Sequence, residues 1–321
     1  MRQSQPAASR MKRQVPSDNA TLRRRARLPI IPALVLVAML NAACYPLIAI
    51  GLGFAPLLFF ATLRALIAGA ALAVMAALLR RPVPRAGTTW LLLAGIGAAS
   101  TSLGYLGMFH GAEFVSPGLA TVIANSQPLV AAVLAQVFLH ERLAPLRHFG
   151  LLVGFAGIVA VSMPRLIAGD SAGFAIGLAY IILAAAGVAA GNVLMKSVSG
   201  RVDPLVAMAA QLLFGAVPLG VAAVLREEPT AILWTPQFIA SLLGLALPGT
   251  ALSYWLWFTS LERIPLGRAN AFTFLTPFFG LSLGIAFFGE RPGGMAVVGL
   301  LLTVVGVAFV ERAGPDPSRS G

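Results

Sequence analysis

The chain has 321 residues, of which 58% are hydrophobic and only 11% charged, with a mean hydropathy of +0.87. Soluble domains carry about 25% charged residues, so too little polar surface is available to cover a water-soluble globule, and the composition points to a polytopic membrane protein. The formal charge of +12 does not signal nucleic acid, because the positive residues sit in a tail and in short loops rather than on one folded face. The single cysteine, Cys44, excludes an internal disulfide and a cysteine-based metal site, and no cofactor is expected.

Residues 1–28 form a basic tail in which Arg2, Arg10, Lys12, Arg13, Arg23, Arg24, Arg25 and Arg27 are spaced by Pro, Ser, Gln and Asn, a composition that predicts disorder. The tail and the apolar run behind it resemble a signal peptide, with Ala42-Ala43-Cys44 as a faint lipoprotein site. The basic region is too long for that, and Asn41 stands where a branched apolar residue belongs, so the run reads as a first membrane helix. A spanning helix needs about 20 apolar residues. Ten stretches qualify: Pro29–Ile50, Leu57–Leu79, Thr88–His110, Pro117–Leu139, His148–Met163, Ala172–Leu194, Pro204–Leu225, Pro236–Ser260, Leu266–Gly289 and Gly294–Val310. Their connections are short and rich in Gly, Pro and charge, leaving no room for a soluble domain.

The segment from Leu103 to Val161 recurs from Leu252 to Val310 without a gap, at an offset of about 149 residues and with roughly a quarter of positions identical. Tyr105 falls on Tyr254, Glu113 on Glu262, Gly118 on Gly267, Pro128 on Pro277, Glu141-Arg142 on Glu290-Arg291, Gly150 on Gly299 and Gly157 on Gly306. Residues 29–164 and 172–311 thus read as two five-helix copies, followed by a tail over 312–321. With the N-terminus inside, cytoplasmic segments hold the tail arginines, Arg80, Arg81, Arg85, Arg142, Arg147, Lys196, Arg201, Arg263, Arg268, Arg312 and Arg319, against Arg165, Arg226 and Arg291 outside. That asymmetry places both termini in the cytoplasm. Five helices per copy force the second copy to enter the bilayer inverted, so the expected fold is an all-α integral membrane protein of ten transmembrane helices in a 5+5 inverted repeat. Such repeats let one half rock against the other around a midplane site. Gly69, Gly95, Gly97, Gly104, Gly107, Gly150, Gly154, Gly157, Gly299 and Gly306 are expected to form helix–helix seams, since lipid supplies no hydrophobic drive between helices.

Gly118-x-Ala120, Pro128, Glu141-Arg142, Gly150 and Gly157, repeated as Gly267-x-Ala269, Pro277, Glu290-Arg291, Gly299 and Gly306, resemble the EamA-like branch of the drug/metabolite transporter superfamily. Arg64 looks like the arginine that family places in its second helix, and Leu212 and Leu213 break the symmetry at the corresponding place in the second copy. The resemblance implies a central cavity between the halves and export of amino acids and other small metabolites across the bacterial inner membrane.

Candidate residues follow from depth and polarity. Glu141 and Glu290 end the fourth and ninth spans, and each is expected to accept hydrogen bonds from backbone N–H groups at the start of the next helix. Arg64 is the only charge well inside a span. Either it pairs or snorkels, with Glu113 as a candidate partner, or it meets a carboxylate or phosphate substrate. Asn41, Tyr45, Tyr105, Asn125, Ser126, Gln127, Asn192, Tyr254, Trp257, Thr273 and Thr276 are cavity candidates, with interhelical bonding as the rival role and membrane-interface anchoring a further one for Trp257. Pro128 and Pro277 lie just behind two of these groups and permit kinks there. No Asp or Glu lies mid-span, which points to facilitated export or exchange of a neutral or zwitterionic metabolite without a carboxylate relay. The expected partners are a small-molecule substrate and the lipid bilayer, with the chain a monomer or weak homodimer. An intramembrane enzyme would need paired carboxylates, a Ser/His constellation or a metal cluster in the spans. A non-transporting scaffold and an exporter of nucleosides or drugs remain as alternatives.

Overall fold

A computed structural model of the protein describes residues 30–127, 129–130, 145–167, 171–198, 201–261, 272 and 275–312. Among these residues there is no strand, and the helices overlap the expected spans, of which much of the fourth and the start of the ninth lie outside the described residues. The first apolar stretch comprises α1 (Ile30–Ala42) and α2 (Cys44–Gly51), stepped at Ala43. Pro46 accounts for the step, because it has no N–H to offer the carbonyl four residues back. Then follows α3 (Leu57–Leu78). The third stretch is α4 (Gly87–Ile96), a π-helix here called π1 (Gly97–Leu103), and α5 (Gly104–Phe114). Pro117, at the first helical position where its missing N–H is not needed, opens α6 (Pro117–Ala124). The next helices are α7 (Pro145–Ile167), α8 (Ser171–Val198) and α9 (Pro204–Arg226). The eighth stretch repeats the third in plan, with α10 (Pro236–Ala246), a second π-helix, π2 (Leu247–Leu252), and α11 (Ser253–Leu261). The described chain ends with α12 (Leu275–Phe288) and α13 (Gly294–Arg312). Six of the described helical stretches are long and apolar enough to cross a membrane, and three more are shorter apolar helices.

Every described helical element before residue 168 packs most extensively against one after residue 170. α3 lies on α9, α7 on α13, α6 on α12, and α5 on α8. Two principal hydrophobic cores result. The first joins α3, α9 and α10 with Cys44, Ile48, Tyr105 and Phe109; the second joins α6 and α7 with Tyr45, Phe174, Ile181 and Val307. Met108 and Ala112 of α5 pack against both.

The glycine seams form where expected, with one exception. A Cβ on Gly157 would lie 2.5 Å from the Thr303 amide nitrogen and 2.7 Å from the Gly299 carbonyl, so α7 and α13 touch backbone to backbone. Gly299 meets the Gly157 carbonyl in return, and Gly306 meets Gly150 and Gly154. Gly97 abuts the Gln211 carbonyl of α9, and Gly107 abuts Tyr180 and Ala184 of α8. Gly95 is the exception: it is exposed, with open space where its side chain would stand. Helical spacing alone did not distinguish the lipid-facing side from the seam.

Carboxylates tie the ends. Glu227, just past α9, accepts the Leu58 N–H at 2.8 Å and the Phe59 N–H at 2.9 Å, capping α3. At the opposite end of this antiparallel pair, Arg81 lies 3.4 Å from Asp203, whose side chain accepts the Leu205 N–H at the start of α9. Glu290 departs from expectation. Its carboxylate accepts the Gly118 N–H at 2.8 Å, at the start of α6, rather than an N–H of the following helix. The left-handed Gly289 (φ 64°) ends α12 and turns the chain so that Glu290 folds back, its own N–H bonding the Gly284 carbonyl at 3.1 Å. The carboxylate is wedged between Gly118 and Gly284, where a Cβ on either would come within 2.6 Å of it. This is what the small residue of the Gly118-x-Ala120 pattern is for. Glu290→Ala is expected to destabilise the protein by about 1.5–3 kcal/mol, the range for a hydrogen bond to a charged group. Glu290→Gln, which keeps an acceptor, should cost less, and thermal unfolding of the purified variants measures both. Glu141 lies outside the described residues.

Candidate functional site

The site is built around Arg64, which α3 carries into the first core, where it is 3% exposed. Its Nε–H donates to Thr250 Oγ1 at 3.1 Å. One terminal nitrogen reaches Met108 Sδ at 3.2 Å and the other Cys44 Sγ at 3.6 Å. The guanidinium carbon lies 4.2 Å from the centre of the Tyr105 ring, a cation–π stack, with Phe109 at 5.9 Å. No carboxylate among the described residues pairs with it. Glu113, the partner considered from sequence, is exposed at the end of α5, and the bonds of Arg64 go elsewhere.

The π-helices explain how these partners arrive. In π2 the wider turn lets Thr250 Oγ1 donate to the Leu245 carbonyl five residues back, at 2.9 Å, and so turn a lone pair toward Arg64. π1 occupies the corresponding stretch of the first copy, and its Thr101, 1% exposed, packs against Gly215 of α9. Single-turn π segments inside α-helices are often found at functional sites. Neither segment, nor the roles of Thr250, Met108 and Cys44, was anticipated from the sequence. The only available signal was the small and polar run Gly97–Ser102 and Pro248-Gly249-Thr250 within otherwise apolar spans.

Three of the four tyrosines in the chain gather here. Tyr105, Tyr254 and Tyr45 all lie close enough to interact electrostatically with the Arg64–Cys44 pair. Tyr105 and Tyr254 are counterparts in the two copies, and each is two residues beyond its π-helix. Among the described residues the hydroxyl of Tyr45, 2% exposed, has no hydrogen-bond partner. The same holds for Asn125 Nδ2 and for Ser126 Oγ in the turn that ends α6. Buried polar groups are seldom left unpaired, so these three groups of the candidate set keep spare bonding capacity.

The other candidates fall elsewhere. Asn41 Oδ1 accepts the Ser253 hydroxyl at 2.9 Å, so it joins α1 to α11. Trp257 packs with the small apolar cluster of Ala33, Val37 and Leu256. Gln127 and Thr276 are half-buried and Pro277 is buried. Pro128 and Thr273, and the side chain of Asn192, lie outside the described residues. Among the described residues no group of His, Cys, Asp and Glu could hold a metal ion.

An interlocked bundle of long apolar helices, with a buried cation in its first core, defines the class: a multi-pass membrane protein with an internal polar site. The chain belongs to the EamA-like transporter family, whose pattern matches residues 28–163 and again 175–312, and it is a member of the drug/metabolite transporter superfamily. It is 30% identical over 272 residues to the uncharacterized transporter YvbV of Bacillus subtilis, covering 83% of this chain and 86% of that one. A WAT1-related chloroplastic protein of Arabidopsis thaliana is 32% identical over 263 residues, 79% of this chain; the match spans 62% of that relative's length. A probable terminal-alkyne amino-acid exporter of Streptantibioticus cattleyicolor is 28% identical over 285 residues, 87% of this chain and 92% of the exporter. A solved crystal structure matches with a TM-score of 0.63 at 20% identity, covering 86% of this chain and 94% of that one, a likeness of fold.

Proposed function

We propose that this membrane transporter exports or exchanges small neutral or zwitterionic metabolites, amino acids or related solutes, across the bacterial inner membrane by alternating access. In this reading ten spans form a 5+5 inverted repeat, both termini are cytoplasmic, and the Glu290 and Glu227 caps stand at the outer face. The observation that carries it is the Arg64 cluster, a buried polar site where matching tyrosines of the two sequence copies meet. The similarity to an amino-acid exporter along nearly its whole length supports the same substrate class. Because each core draws on both copies, the bodies that move are the two cores rather than the two sequence halves, with α5 between them.

A competition screen in proteoliposomes tests this reading. Amino acids are expected to compete with a labelled amino acid for flux, and nucleosides and sugars are not. Competition by nucleosides alone would favour a nucleoside exporter, and no protein-dependent flux of any solute would favour a scaffold. Flux that strictly requires an imposed pH gradient, and loses that requirement when one residue is replaced, would contradict transport without a proton relay.

A further inference from the structure

We propose that Arg64 is a carboxylate receptor, so that the transported solutes are zwitterions whose carboxylate it binds, amino acids with apolar side chains among them; the inference rests on the transport reading for what the site is used for. A guanidinium presents five N–H donors. Among the described residues the only oxygen acceptor of Arg64 is Thr250, on the Nε side. The two terminal nitrogens, the pair that grips a carboxylate in a fork, are met among the described residues by a thioether and a thiol. Sulfur is a weak acceptor, whereas a carboxylate on the same two nitrogens makes two short charge-assisted bonds. A buried cation without an opposite charge is also strongly disfavoured in an apolar interior, and an incoming carboxylate removes that penalty.

Thr250 is the positioning residue. Its hydroxyl is fixed by the Leu245 carbonyl and holds Nε, which sets the plane of the fork. Tyr105 covers the guanidinium carbon with its ring, 4.2 Å to the centroid. Met108 and Cys44 then act as soft placeholders whose side chains yield when the carboxylate enters, as a flexible thioether can. The second copy has Leu213 at the aligned position, so the inferred site holds one anion and lies off-centre toward the first copy.

The test uses the full-length protein in detergent and in proteoliposomes, with matched sets of aliphatic and aromatic amino acids, their methyl esters and amides, and the corresponding phosphate monoesters. Ligand-induced thermal stabilisation reads binding independently of flux. The free carboxylates are expected to stabilise the wild-type protein and to compete at least 10-fold better than esters or amides, with phosphate monoesters weaker than carboxylates. R64Q is expected to erase the difference between acid and ester, and R64K to retain part of it. T250V is expected to raise the concentration for half-maximal flux about 10-fold at an unchanged maximal rate, with T250S restoring it. Equal binding of acids and esters by the wild-type protein overturns the proposal, as does an unchanged acid preference in R64Q; neither outcome depends on a variant that fails to fold. Acid-selective, Arg64-dependent stabilisation with no flux of any solute would uphold the receptor and overturn the transport reading. Flux with equal use of acids and esters would do the reverse.

Discussion

Gly157→Leu is expected to give a protein that inserts but does not hold together, with the largest loss of stability of any single change along the α7–α13 seam. The Cβ alone would stand 2.5 Å from the Thr303 amide nitrogen and 2.7 Å from the Gly299 carbonyl, and these are backbone atoms of α13 that cannot rotate away. Relief requires the two helices to part. In lipid the contact is held by close packing rather than by water exclusion, so separating the backbones forfeits the dispersion attraction along the whole seam. Overpacking usually costs about 1–3 kcal/mol and occasionally more, and Gly157→Ala belongs in that range, with leucine above it. Gly299→Ala should behave like Gly157→Ala, since the two glycines face each other's carbonyls. Gly95→Ala is the control: nothing lies within 4 Å of the new methyl, and Ala in place of a helical Gly is worth up to about 1 kcal/mol in the opposite direction. Cys44 provides the readout, because it is the only cysteine and is 3% exposed. A thiol-reactive dye will therefore label it as the bundle opens on heating. Equal midpoints for Gly157→Leu and Gly95→Ala would show that the seam does not hold the bundle.

Length and hydropathy made the helices legible, and the repeat made their correspondence legible. Gly150, Gly157, Gly299 and Gly306 could be placed on a seam because helix packing in lipid has few solutions. What sequence reasoning missed involved partners distant along the chain. Glu290 looked local because its nearest unpaired N–H groups lie in the next helix, yet its acceptor role is filled by Gly118, 172 residues away. Glu113 drew attention as a partner for Arg64 because charge seeks charge, but the protein surrounds the guanidinium with a hydroxyl, two sulfurs and an aromatic face instead. Thr250 carried no signal of its own. Its role depends on a π turn, and hydropathy patterning does not distinguish a π turn from an α turn. Of the polar candidates, Tyr45, Asn125 and Ser126 kept groups unpaired among the described residues, whereas Asn41 found Ser253. Both kinds lie at similar depth in apolar spans, and only the fold separates a side chain that bonds a neighbouring helix from one that does not.

The contact pattern also constrains how motion can occur. A rotation of residues 30–167 as one body against residues 171–312 would break the α3–α9, α5–α8, α6–α12 and α7–α13 contacts together. Motion between the two cores leaves α3–α9 and α7–α13 intact and works on fewer contacts. The end ties follow the same division. The Glu227 cap and the Arg81–Asp203 pair bind α3 to the ends of α9, within the first core, and the Glu290 cap binds α6 to the turn beyond α12. These ties reinforce pairs that are expected to move as units.

Glu227→Ala is therefore expected to loosen the first core and to lower its stability by about 2–4 kcal/mol, from two hydrogen bonds to a charged acceptor and a lost helix cap. Pro56, at the N-cap of α3, has no side chain that can accept a hydrogen bond, so the start of this 22-residue helix relies on a carboxylate from the far end of α9. A negative charge there also complements the positive end of the α3 dipole. Glu227→Gln should lose less, because an amide oxygen can still take one of the two N–H groups. Glu228→Ala, next door and exposed, should change little. Since α3 carries Arg64, fraying at its start should expose Cys44 to the thiol dye at lower temperature in Glu227→Ala than in Glu228→Ala. The acid-over-ester preference at Arg64, some two turns further along the helix, should survive at temperatures below the transition. An unchanged unfolding midpoint in Glu227→Ala would mean that the α3–α9 packing alone fixes the helix and that the cap only satisfies donors otherwise met by water.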